Sequence, residues 1–225
     1  MGITRVLLVV PFFGIAASSW AVGERPIHGN VSLVYQQHIR RNYHDTSRYI
    51  GVGRGIVLEG TAAQVARLTG WLDTIATVPY GRHTLRAIFN STNQVTIRHS
   101  TWALTASGRT LAPLSDNLTN GRGEDVLILF DVRIPEQGSH HVFDSAGRPL
   151  EFTAVENLFH ELAHARHQTN GDWRYWDSEG QAIEDENRFR VQYAPREGRS
   201  AVSLRSGIEG QQTWWPASSL NQVAW

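Results

Sequence analysis

The chain has no cysteine and no lysine. Without cysteine there is no disulfide framework, no thiolate metal site and no thiol nucleophile. A metal could then be held only by histidine and carboxylate, and ten histidines supply the first of these. Without lysine, all 21 basic residues are arginine, and they balance 21 acidic residues to a net charge of zero. No basic run breaks that balance, which excludes an electrostatic claim on nucleic acid. The missing lysine has two readings. One is a GC-rich coding sequence; the other is avoidance of the amine that ubiquitin ligases modify, which suits a protein working inside host cells. A membrane-spanning run of about 20 apolar residues is also missing.

What remains is 225 residues, 41% hydrophobic, with 8 Trp, 8 Phe and 6 Tyr. That is enough apolar surface for one cored domain. Residues 1–21 are expected to lie outside it. Arg5 precedes an apolar stretch at 6–17, and Ser19 and Ala21 offer the small residues that a signal peptidase reads. The expectation is a cleaved secretory signal, a secreted or periplasmic product, and a single domain over 22–225. Its catalytic core spans about 60–200, and its tail at 206–225 carries Trp214, Trp215 and Trp225.

Strands are expected at 31–35, 56–59, 94–98 and 125–132, the last the most apolar of the four. Gly51, Gly53 and Gly55 make a GxGxG that lacks the Lys-Ser/Thr and helix of a phosphate loop. Thr61 can cap a helix to Thr77 with Val65, Leu68, Leu72 and Ile75 on one face. Pro79-Tyr80-Gly81 reads as its break, followed by a short helix at 83–89. Residues 105–124 and 135–149 read as loops.

Thr153 and Glu156 form a capping box for a helix that carries His160-Glu161-Leu162-Ala163-His164 and stops at Asn170-Gly171. On a helix, residues i and i+4 share a face, so His160 and His164 can converge on one zinc. Glu161, beside the first ligand, is placed to take a proton from water. His167 lies about 10 Å along the axis from His160 and cannot join both. A catalytic zinc wants one more protein ligand and an open position. The next helix, expected at 178–191 with Ser178 and Gln181 as a capping pair, carries Glu179, Glu184, Asp185 and Glu186. Glu179, Ala182, Ile183 and Glu186 share its inward face, while Glu184 and Asp185 fall to the side. The ligand is therefore sought in the pair Glu179 and Glu186, with Glu184 as an alternative at a spacing thermolysin-like enzymes favour.

The stretches LFHELAHARHQTNG, SEGQAIEDENRFR and APREGR, with VPYGRHTLRAIFNSTNQVTI and GRGEDVLILFDV upstream, resemble the NleD-like bacterial effector zinc metallopeptidases over residues 60–200. The resemblance implies an α+β, zincin-like fold with an HExxH helix, a second ligand-bearing helix and a small mixed or antiparallel sheet. It also implies one Zn2+ per chain and a protease that cuts a host protein, a signalling protein in the best-known member. A more distant similarity to clostridial neurotoxin light chains puts the third ligand at Glu179 and makes Glu186 an acid that orients a ligating histidine. Family members carry an Arg-x-x-Tyr after the second helix as an oxyanion clamp. Here Arg196 and Arg199 are present without that tyrosine, which makes Arg199 and Tyr193 the candidates. The signal segment departs from injected effectors and fits either periplasmic passage followed by secretion or the enzymatic chain of a secreted toxin with a delivery subunit.

The expected chemistry is peptide hydrolysis with Glu161 as general base. The substrate is expected to pair with the 125–132 strand, read either as a free edge or as the buried middle of the sheet. The competing class is a secreted protein- or glycan-binding module with a structural or vestigial metal site, for which the Trp-rich tail is the support.

Overall fold

In the computed structural model, residues 31–35, 53–100, 108–137, 142–199 and 202–206 are described. The expected signal at 1–21 and the tryptophans of the tail lie outside them.

Thr61 starts the first helix, α1 (Ala62–Thr77), through a capping box: Thr61 Oγ1 accepts from the Gln64 amide, and Gln64 Oε1 from the Thr61 amide. Val65, Leu68, Leu72 and Ile75 are buried, as their spacing requires. Pro79 does not break the chain into a turn. It takes the first position of α2 (Pro79–Asn90), where its missing N–H costs nothing and its fixed φ suits a helix. That helix is therefore longer than the sequence suggests.

Five strands form one sheet in the order β1-β2-β3-β5-β4. They are β1 (Val31–Val34), β2 (Gly55–Gly60), β3 (Gln94–His99), β4 (Gly108–Leu111) and β5 (Val126–Phe130). β2, β3 and β5 run parallel, and β1 and β4 flank them antiparallel. Alternation sends Ile56, Leu58, Val95, Ile97, Ile128 and Phe130 into the core beneath the helices. Val57, Thr96 and Leu127 line up across the other face, half-buried.

Two expected loops change here, and the open choice for the 125–132 strand closes. The 125–132 strand is not an edge: β5 is paired on both sides, by β3 and β4. Among the described residues the strand at that end of the sheet is β4, which falls inside the stretch read as a loop. Residues 135–149 likewise contain half of a small hairpin, β6 (Val142–Phe143) with β7 (Pro149–Leu150), turned around Asp144.

Thr153 and Glu156 do form the capping box of α3 (Ala154–Asn170), which ends on Gly171 at φ +70°. α4 (Ser178–Tyr193) packs along α3, with Ala163 and Ala182 fully buried. Phe159 stacks on Phe189 with centroids 4.1 Å apart. Such a pair contributes about 1 kcal/mol beyond its buried area and fixes how the helices lie. The start of α4 differs from expectation. Asp177 is the N-cap, and no side chain caps it. Gln181 instead accepts from the Arg174 amide and donates to the Asp172 carbonyl oxygen, closing the α3–α4 turn. No helix among the described residues is long and apolar enough to cross a membrane.

Candidate metal centre

The helical spacing brings His160 and His164 side by side, with ring centroids 4.8 Å apart and planes perpendicular. Glu179, in the first turn of α4, faces both. Its Oε1 lies 3.3 Å from His160 Nε2 and its Oε2 lies 3.2 Å from His164 Nε2. One donor atom from each residue falls within 4.8 Å of the others.

Behind this trio, His160 Nδ1 is 3.0 Å from Glu186 Oε2 in the fully buried interior. A proton on Nδ1 shared with that carboxylate makes Nε2 the nitrogen directed at Glu179 and at a metal between them. Burial alone would push the His160 imidazole down, but Glu179, with Glu186 behind it, pushes it up to about 10 against the charge of Arg205. For Glu179, burial acts upward, yet the two histidines hold its carboxyl well below the ordinary carboxylate range.

Two imidazole nitrogens and one carboxylate oxygen suit a zinc-type ion with an open fourth position. Tetrahedral bonds of about 2.1 Å place neighbouring ligand atoms about 3.4 Å apart. His160 Nε2 lies 3.3 Å from Glu179 Oε1, close to that edge, His164 Nε2 lies 3.2 Å from the other oxygen of the same carboxylate, and one donor atom of each residue lies within 4.8 Å of the others, so the three residues suit such an ion.

Arg205, which sequence reasoning missed, completes the cluster. It is buried, donates to Glu186 Oε2 at 2.6 Å, and reaches Glu179 Oε1 at 3.2 Å. Asn187 holds its backbone from both sides, accepting from the Arg205 N–H and donating to its carbonyl oxygen. The available signal was chemical: two carboxylates on one inward helix face require a cation. Which of 21 arginines supplies it is not written in any spacing.

Other expected residues lie elsewhere. Tyr193 is buried about four turns, some 21 Å, along α4 from Glu179. It stacks on Phe189, and burial, then Glu197, pushes its hydroxyl up. Arg199 donates to Glu156 Oε1 at 2.7 Å, beside Arg190 at 3.1 Å from the same atom. Both therefore brace the start of α3, and neither is brought to the histidines. Glu184 points into solvent toward Arg174, which removes it as a ligand. His167 stays away from the trio, as its spacing demands, and pairs with Asp172 and Asp185. Asp185 is not at the side: it is buried, held by Arg166, His167 and the Tyr80 hydroxyl.

Glu161 is buried beside the histidines, and the Thr110 hydroxyl of β4 donates to its Oε2 at 2.6 Å.

A mixed α+β fold with a His-Glu-x-x-His helix and a facing acid defines a protein of the peptidase class. The family model Peptidase_M91, described as effector protein, matches residues 53–213, and the chain belongs to this NleD-like family of effector metallopeptidases. No curated protein matches the chain.

Proposed function

We propose that the protein is a zinc-dependent endopeptidase of zincin type, exported and acting as an effector or toxin on a protein of a host cell. One zinc per chain is held by His160, His164 and Glu179. The observation that carries this reading is their convergence next to Glu161, with Glu186 and Arg205 fixing His160 and Glu179 from behind. A purely structural ion would need no carboxylate beside its first ligand.

Zinc supplies Lewis acidity toward water and the scissile carbonyl. Glu161 takes the proton of the attacking water and delivers it to the leaving amine nitrogen as the C–N bond breaks. Arg205 keeps Glu186 ionised and reaches Glu179, and Glu186 keeps His160 in the tautomer that presents Nε2. The outer edge of β4, next to Glu161, is the edge on which an extended substrate backbone pairs.

The test is Glu161→Gln against wild type, with zinc content and new N-termini in a host-cell lysate as the two readouts. Retained zinc with loss of every new N-terminus supports the reading. Unchanged cleavage refutes it.

A further inference from the structure

Glu161 faces β4, and what β4 turns toward it is unusual for a strand. Alternation places Gly108 and Thr110 on one face and Arg109 and Leu111 on the other. Their partners across the ladder are Phe130 and Ile128, both buried in the core, so the Gly–Thr face is the one turned to the helices. Gly108 sits in regular strand, where no left-handed backbone calls for glycine. It is there for space. A methyl group at 108 would come within 2.5 Å of Glu161 Cγ and 2.8 Å of Cδ and Oε1.

Thr110 occupies the other side of the same carboxylate. Its hydroxyl donates to Oε2 at 2.6 Å, with the Glu161 carbonyl oxygen 3.1 Å away. That length belongs to a charge-assisted hydrogen bond. Holding Oε2 fixes the rotation of the carboxyl group and so the direction in which Oε1 presents its lone pairs. A flexible glutamate is thereby confined before any substrate arrives.

We propose that Gly108 and Thr110 form a socket that positions the Glu161 carboxylate, with Thr110 as a positioning residue for the general base. The inference rests on the peptidase reading above. It ties the base to the strand whose outer edge aligns the substrate, so that base and scissile bond share one frame. Misplacing a reacting group by about 1 Å lowers turnover about 100-fold.

Five variants test this: Thr110→Val, Thr110→Ser, Gly108→Ala, Glu161→Gln and, for unfolding, Glu161→Ala. The probe is the fastest-cleaved member of a library of internally quenched decapeptides. Thr110→Val and Gly108→Ala are expected to keep zinc and KM within about twofold and to lower kcat about 10- to 100-fold. Thr110→Ser restores most of it. A second readout needs neither turnover nor metal. In urea unfolding of the metal-free chain, Thr110→Val and Glu161→Ala should combine non-multiplicatively, by about fivefold or more in the unfolding constant. Wild-type kcat in Thr110→Val and Gly108→Ala, with Glu161→Gln inactive, overturns the socket alone. Multiplicative effects in the unfolding cycle overturn it too. An active Glu161→Gln refutes the peptidase reading instead, and the unfolding cycle then decides the socket.

Discussion

Arg205 and Glu186 form a buried ion pair at 2.6 Å directly behind His160, and the same guanidinium reaches Glu179. One cation thus serves two carboxylates that burial would otherwise protonate, Glu186 among them held below its ordinary range. Arg205→Ala takes the guanidinium from both, and the expected loss is about 3–5 kcal/mol of stability by urea unfolding. Arg205→Lys restores only part of it, because a point charge cannot address two acceptors as a planar fork does.

Glu186→Gln keeps the shape but weakens the hold on His160. Zinc affinity is expected to fall about 10- to 100-fold with the fold retained. Competition with a zinc-binding dye measures it.

Tyr193→Phe and Arg199→Ala separate bracing from catalysis. Tyr193 stacks in the core and Arg199 pairs with Glu156, so both changes should leave kcat within about twofold. Their cost appears in stability, about 1 kcal/mol for the tyrosine hydroxyl. A 100-fold fall in kcat at either position, with zinc retained, would return that residue to the active site.

The Asp185 network predicts a pH dependence. Burial acts to raise the Asp185 carboxyl, but His167, Tyr80 and Arg166 bring it from an ordinary 3.8 down to about 2. A depressed acid stabilises fully above its ordinary value, and its contribution, about 2 kcal/mol, is lost as pH falls through about 2. His167 is raised above an ordinary 6.5: burial opposes the proton, and Asp172 and Asp185 outweigh it. Its contribution is complete below 6.5 and is lost as pH rises through the raised value. Both are present together between about pH 4 and 6.5. Urea unfolding of wild type and Asp185→Asn from about pH 6.5 down to 2 should show a difference that holds to about pH 4 and shrinks below it.

How much of this was legible depends on how local each cause is. The Thr153–Glu156 box, the Gly171 stop and the pairing of His160 with His164 are helical periodicity and capping, and the chain states them within a few residues. The inward placement of Glu179 and Glu186 follows from the same 3.6-residue period. Asp185 escaped because its partners Tyr80, Arg166 and His167 come from α2 and α3. β4 escaped because Gly-Arg-Thr-Leu carries no strand signal by itself; pairing with β5 makes it a strand. Arg205 lies on no periodic element at all, and only the buried charge of Glu186 asks for it.

The peptidase reading stands on His160, His164 and Glu179 together holding a catalytic zinc. The most direct measurement is zinc per chain and zinc affinity for the full-length protein, with Glu179→Ala beside Glu184→Ala. About one zinc is expected, its affinity weakened at least 100-fold in Glu179→Ala and unchanged in Glu184→Ala. A folded, zinc-supplied wild type without zinc, or an affinity indifferent to Glu179→Ala, would contradict it.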